Sequence, residues 1–217
     1  MSELLMSNLS LRFITAIILL PPFLFLLYAN NISLYFLIFL FFLISIYEIN
    51  FLLKKNTIYF FILLILIILF LYCLYKLRGN TDSDFYYLLW VMTVVWLSDI
   101  GGFLFGRLIK GPKLSKWSPN KTIAGFFGSV ILGQFAFLVL YYLLKNTVIF
   151  NLKFFILQLL MTIFSVIGDL FFSFIKRKND IKDYSNIFPG HGGLLDRADG
   201  LIFVIILAYS LKIANVY

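Results

Sequence analysis

The sequence predicts an all-α integral membrane protein, a polytopic bundle of about seven transmembrane helices. Three observations predict it. The 217 residues are 62% hydrophobic and only 13% charged, with a mean hydropathy of +1.00, more apolar material than a soluble domain of this size needs. That material falls into runs of about 20 residues, the length a helix needs to cross a bilayer core. The 27 Phe and 13 Tyr suit lipid-facing and interfacial helix surfaces.

Taken in order, the runs lie near 11–29, 32–53, 57–77, 85–107, 124–144, 152–176 and 200–215. The N-terminal stretch, with Glu3 ahead of Arg12 and Pro21-Pro22 inside a run too long for a signal core, is expected to be retained. No repeat, low-complexity tract or soluble domain separates the runs. Cys73 stands alone in an apolar run, which leaves no disulfide framework and no thiolate metal site and makes it a small buried hydrophobe. Orientation follows from the 18 Lys and Arg. With the N-terminus inside, 13 of them are cytoplasmic: Arg12, Lys54, Lys55, five in 107–123 and five in 176–197. The net charge of +8 follows from that bias, so no nucleic-acid partner is expected.

Ionisable groups inside spans cost about 2.5–3.5 kcal/mol each at a helix centre, so each needs a reason. Glu48, Asp99 and Asp169 are such groups, and in this topology each lies toward the cytoplasmic end of its span. Asp196 and Asp199 precede the last span on the same side. Five carboxylates at similar depth beneath two basic loops are expected to converge on a shared cation site.

Two stretches carry chemistry. Ser173–Asp199, SFIKRKNDIKDYSNIFPGHGGLLDRAD, holds five cations, four carboxylates and the sole histidine, His191. Its glycine-rich turn at 190–193 is expected to bring backbone N–H groups close to an anion. Asp196 and Asp199, three apart, would share a helix face and repel unless a cation joins them. Basic side chains, a glycine turn and paired acids together describe a site for a metal-bound polyphosphate. In the second stretch, Asp99, Gly102 and Gly106 share one face, which is expected to leave room for a ligand or to allow close helix packing. Ser118-Pro119 reads as an N-cap followed by proline at the first helical position, with Asn120, Lys121 and Thr122 in a first turn that favours phosphate.

In these residues the chain resembles the phosphatidate cytidylyltransferase (CDP-diacylglycerol synthase) family. Ser173, Ile175, Lys176, Arg177, Lys182, Asp183, Ser185, Phe188, Pro189, His191, Gly192, Gly193, Leu194, Asp196, Arg197 and Asp199 fall in register with its signature. Ala198 departs, standing where a larger apolar residue is usual. Ser98, Asp99, Gly102, Gly106, Arg107, Ser118, Pro119, Lys121, Thr122 and Gly125 match a second family stretch, with Ile123 and Ala124 departing, and Asp169 matches a third. Glu48 is loosely similar to an acidic position in the family's N-terminal spans, with a structural and a catalytic role equally open. The likeness is specific over about 96–200 and vague before it. The chain is short for the family, as if one or two N-terminal spans were missing.

The resemblance implies an enzyme that joins CTP and phosphatidic acid into CDP-diacylglycerol and pyrophosphate. The active site would lie at the cytoplasmic side of a multi-pass inner-membrane protein. Residues 84–217 would be the catalytic region and 1–83 the N-terminal helices. It implies catalytic roles for Asp169, Asp196, Asp199, Lys182 and His191, His191 being equally readable as a polar residue suited to the turn. Substrate contacts would fall to Ser98, Lys121, Thr122, Ser173, Lys176, Arg177, Gly192, Gly193 and Arg197. Asp169 and Asp196 would bind Mg²⁺, with Asp99 and Asp199 as further ligands or behind them. A second cation such as K⁺ and a homodimer are implied too. Three other readings compete. A transporter would use the intramembrane acids but leave the His-Gly-Gly turn idle. A CDP-alcohol phosphotransferase lacks its pattern here, and an enzyme for another lipid phosphate stays open.

Overall fold

The computed structural model describes residues 17–143, 152–188 and 192–215. Among them all regular structure is helical: α1 Ile17–Tyr28, α2 Asn31–Ile49, α3 Leu52–Lys55, α4 Thr57–Arg78, α5 Asp82–Leu108, α6 Ile123–Gln134, α7 Ala136–Leu143, α8 Leu152–Lys178 and α9 Leu195–Ile213. Among the described residues five helical stretches are long and apolar enough to cross a membrane: Asn31–Lys55, Thr57–Arg78, Asp82–Leu108, Ile123–Leu143 and Leu152–Lys178. These are five of the seven expected runs. Of the first run, only the short α1 is described, and the N-terminal residues with Glu3 and Arg12 lie outside the described residues. The last expected run is the latter part of α9. That helix begins at Leu195 and so takes Asp196, Arg197 and Asp199 into its first turns.

The helix starts are set by side chains that accept orphan backbone N–H groups. Asn30 and Ser33 form a reciprocal box at α2, with Ser33 N–H donating to Asn30 Oδ1 at 2.8 Å and Asn30 N–H to Ser33 Oγ at 3.1 Å. Thr81 Oγ1 accepts from Asp84 N–H at 3.1 Å to open α5. The start of α6 differs from the sequence expectation. Its N-cap is Thr122, whose Oγ1 accepts from Gly125 N–H at 3.0 Å, and Ser118-Pro119 lies in a turn before it. The reason is pairing within the loop: an antiparallel bridge joins Lys113 and Thr122, and Leu114 N–H donates to Lys121 C=O at 2.8 Å. Thr122 is extended in this pairing, so Asn120, which lies in the Ser118–Lys121 turn, and Lys121 do not run on into a helix.

The chain divides into two compact units, residues 1–71 with 176–198 and residues 72–175 with 199–217. In the first, Leu34, Ile49, Leu52, Leu63 and Ile67 are fully buried, and the Phe41 and Phe70 rings stand 5.1 Å apart. In the second, α5 and α6 pack through glycine. A Cβ at Gly101 would lie 2.2 Å from the Gly128 carbonyl oxygen, and one at Gly128 would lie 2.4 Å from Phe105 Cβ. A Cβ at Gly102 would come within 2.7 Å of Ser129 Oγ, which donates to Ser98 C=O at 2.8 Å. The face shared by Gly102 and Gly106 is therefore filled by α6, so the close-packing reading of that face holds and the room expected there for a ligand is taken.

Two further contacts of the second unit matter below. The run 124–144 breaks at Phe135 into α6 and α7, and Gln158 on α8 donates from Nε2 to the carbonyls of Gly133 and Gln134, both at 3.3 Å. α8 and α9 cross at small residues: a Cβ at Gly168 would sit 2.6 Å from the Asp199 carbonyl, and one at Gly200 would sit 2.6 Å from Ser165 Oγ.

Because a methyl group at Gly128 meets atoms across the α5–α6 contact, Gly128→Ala is expected to destabilise the protein by about 1–3 kcal/mol through overpacking. The measurement is the thermal unfolding midpoint in detergent. Phe127→Ala, at the exposed neighbouring position, is expected to change it by no more than about 0.5 kcal/mol.

Candidate active site

In the first unit, α8 ends at Lys178 and the chain turns through 179–194 before α9 begins. Asp180 turns the chain in the left-handed region (φ +54°), and Lys55 is tied to the same corner, donating to Asn179 C=O and to Asp180 Oδ2, the latter at 3.1 Å. Phe188 and Gly192 close the turn between them by two backbone bonds of 2.9 and 3.1 Å. Gly192 has φ +85°, where a side chain would be strained.

Asp196 sits at the centre of this loop. Its Oδ1 accepts from Lys176 Nζ at 2.7 Å, and its Oδ2 accepts from Tyr184 N–H at 2.8 Å and Gly193 N–H at 2.9 Å. Both partners of the ion pair are largely withdrawn from solvent, with side chains 11% (Lys176) and 5% (Asp196) exposed. Removing one partner of so buried a pair leaves an uncompensated charge, which costs about 3–5 kcal/mol. The Lys176 ammonium also stands 5.6 Å from the centre of the Tyr184 ring. The described glycine amides of the turn are thus engaged by the protein, Gly192 N–H with Phe188 C=O and Gly193 N–H with Asp196. In this arrangement they do not form the anion cradle expected of them.

Glu48 meets the same loop from α2. It is 1% exposed, and its carboxylate accepts from Ser185 Oγ at 2.7 Å, Leu194 N–H at 2.7 Å and Leu195 N–H at 2.8 Å. A cavity of about 850 Å³ opens beside it, bordered by Tyr47, Asn50, Lys54, Tyr184 and Asn186 among others.

The second unit holds the other acids. Lys121, from the loop before α6, places its ammonium on the Asp169 carboxylate of α8; their side chains are 31% and 16% exposed. Gly200 brings Asp169 and Asp199 to one place. Its N–H donates to Asp199 Oδ1 at 3.0 Å, and a Cβ on it would lie 3.3 Å from Asp169 Oδ1. Ser165, buried beside Gly200, has a hydroxyl without a hydrogen-bond partner.

The remaining expected site residues distribute as follows. Ser98 is buried and its hydroxyl has no hydrogen-bond partner, while Asp99 is exposed on α5. Thr122 is the α6 cap. Ser173 is half-buried on α8, Lys182 and Arg197 are exposed, and Arg177 donates from Nη1 to Ile181 C=O at 3.2 Å. His191 lies outside the described residues, as do Pro189 and Gly190. Among the described residues no three His, Cys, Asp or Glu side chains are grouped to hold a metal ion. The donor chemistry around Gly200 nevertheless fits Mg²⁺. Two hard carboxylates and an unpartnered hydroxyl border one point, and Mg²⁺ is usually held by one or two carboxylates together with substrate phosphates and water.

Sequence reasoning missed the partners of these acids: Tyr184 and Gly193 as donors to Asp196, Ser185 as donor to Glu48, and Ser165 beside Gly200. A serine four residues before Asp169, on the same helical face, was the available signal for Ser165.

Comparison with known proteins gives the family. Residues 52–214 match the model of a family described as the cytidylyltransferase family. A phosphatidate cytidylyltransferase of Staphylococcus haemolyticus is 42% identical over 140 residues, covering 61% of this chain and 52% of that protein. One from Staphylococcus aureus strain COL is 39% identical over 140 residues, covering 62% and 52%. One from Aquifex aeolicus is 36% identical over 178 residues, covering 81% and 63%. The chain spans about half the length of the staphylococcal relatives it matches. The matched stretch contains both the Lys121–Asp169 pair and the Lys176–Asp196 pair, and the chain belongs to the cytidylyltransferase family.

Proposed function

We propose that this protein is a membrane-embedded nucleotidyltransferase that transfers the cytidylyl group of CTP to phosphatidic acid, giving CDP-diacylglycerol and pyrophosphate. The observation that carries this reading is the pairing of family-matched acids with lysines: Asp169 with Lys121 and Asp196 with Lys176. Ammonium groups already set against carboxylates, one of them beside a glycine-rich loop, are what a polyanionic substrate needs.

The chemistry follows from charge. An oxygen of the lipid phosphate forms a bond to the α-phosphorus of CTP, and the bond from that phosphorus to the bridging oxygen of the β-phosphate breaks, so pyrophosphate leaves with the electron pair. The nucleophile is anionic at neutral pH, so neither a Ser nor a Cys nucleophile is required. What opposes the reaction is repulsion between anions and loss of alignment. Lys121, Lys176, Lys182, Arg177 and Arg197 hold phosphate oxygens, the arginines able to do so with two parallel bonds. Asp169 and Asp199 would hold Mg²⁺, which supplies neutralisation of phosphate charge when bound. Asp196, whose two oxygens carry three protein donors, keeps the loop in shape around Lys176.

The proposal extends to the surroundings. It has a seven-span chain in the cell membrane with the N-terminus and this site at the cytoplasmic side, where nucleotides are. Residues 84–217 carry the catalysis and 1–83 frame it. The protein acts as a homodimer, with K⁺ as a second cation. The excess of Lys and Arg in the loops on one side supports the orientation.

The test is purified protein in detergent with phosphatidic acid, CTP labelled in its α-phosphate, and Mg²⁺, following label into lipid. Mg-dependent labelling is expected, with EDTA abolishing it. Absence of label from folded protein, with other lipid phosphates also inert, would overturn the reading; label on another lipid phosphate would change the acceptor. Asp169→Asn is expected to lower kcat about 100-fold or more, as for removal of a group that organises transition-state charge. Lys121→Met is expected to lower kcat/KM for CTP by about 10–1000-fold while an unrelated exposed lysine, Lys76→Met, changes it less than about twofold.

A further inference from the structure

Glu48 stands four residues before the family match begins, so nothing in that match gives it a role. It is nonetheless the most deeply buried carboxylate among the described residues, on a helix that is otherwise apolar apart from Asn31 and a few hydroxyls. A charge so placed persists only when its oxygens are satisfied. Three donors satisfy them, and all three lie more than 130 residues away in the signature loop: Ser185 Oγ, Leu194 N–H and Leu195 N–H.

Those two amides identify what Glu48 does. The carbonyl of Leu194 accepts the first intrahelical bonds of α9, from Arg197 N–H at 3.0 Å and Ala198 N–H at 3.1 Å, which makes Leu194 the N-cap residue. A leucine has no oxygen with which to cap. Glu48 supplies the missing acceptor from another helix, and its negative charge meets the positive end of the α9 dipole. The second glycine of the turn fits the same account. A Cβ at Gly193 would lie 2.5 Å from Glu48 Oε1 and 2.8 Å from Ser185 Oγ. Gly193 therefore clears space for this carboxylate, and the anion nearest the glycine turn is the protein's own.

We propose that Glu48 is a positioning residue for the reaction: the remote N-cap of α9, which sets the register of Asp196 and Arg197 and holds Ser185 and Gly193 beside them. This rests on the cytidylyl-transfer reading above. Glu48 reaches no reacting atom itself; it acts through the amides of Leu194 and Leu195 and through Ser185.

The test has two arms on the full-length protein in detergent. Hydrogen–deuterium exchange of peptides covering 185–197 reads the clamp without reference to activity. CTP and phosphatidic acid kinetics read its effect on the reaction. Glu48→Gln keeps the size but turns an N–H donor toward backbone donors. It is expected to speed exchange at 193–196 and to lower kcat, each by about 10- to 100-fold, the equivalent of one lost hydrogen bond to a charged group. KM for phosphatidic acid should stay within about twofold. Ser185→Ala removes one of the three donors and covers the case in which Glu48→Gln does not fold; a smaller change of the same pattern is expected. Unchanged exchange in either folded variant overturns the clamp. Faster exchange with unchanged kcat overturns the positioning role. If the wild-type protein transfers no cytidylyl group, the reaction reading fails by itself, and the exchange arm still decides whether Glu48 caps α9.

Discussion

A carboxylate among apolar helices has to be matched in place, because neither lipid nor packed side chains solvate it. That constraint shapes this molecule more than any other. Asp169 is matched by Lys121, Asp196 by Lys176 and two backbone amides, and Glu48 by two amides and a hydroxyl. The matches of Asp169 and Glu48 tie together segments 48 and more than 130 residues apart, so these polar groups act as fasteners between elements that apolar contact alone would leave free to slide. A bundle held only by apolar contact in a bilayer has little to choose between registers, since lipid is as good a neighbour as leucine.

Glycine and serine do the complementary work of letting helix axes approach. Gly101 and Gly128 bring α5 to α6, and Gly168 and Gly200 bring α8 to α9. The second crossing has a chemical result. It carries the backbone of Asp199 onto the helix that bears Asp169, and two acids separated by thirty positions in sequence border the same glycine. The acids meet because the residues beside them have almost no side chain.

Much of this was legible in the sequence, and the reasons are local. Hydropathy over 20 residues reports helices well because a crossing helix satisfies its own backbone, and five of the seven runs correspond to such helices. Glu48, Asp99 and Asp169 stand out because charge in an apolar run is costly, and Asp196 because it sits in a dense run of charge and glycine. What could not be read was what each charge meets. The cap of α6 went to Thr122 and not Ser118 because a bridge to Lys113 fixed the backbone first, and that bridge is not written in either residue. The Gly192-Gly193 pair read as a cradle for a ligand anion because spacing cannot tell a substrate from a carboxylate arriving on α2. The sequence leaves two roles open for Glu48 for the same reason: two of its three donors are backbone amides, which every sequence has everywhere.

The break at Phe135 has a mechanical consequence. A membrane bundle usually meets a change in bilayer thickness by letting neighbouring helices shift along one another or tilt independently. Here the last carbonyls of α6, Gly133 and Gln134, are held by the Gln158 amide from the second turn of α8. Sliding α8 by even one residue would strand two carbonyls and an amide in an apolar setting, at several kcal/mol each by order of magnitude. α6 and α8 therefore have to respond to thickness as one plank. A bilayer too thin or too thick for them is accommodated by tipping the pair, which leaves the acid-bearing end of α8 at a constant offset from the break.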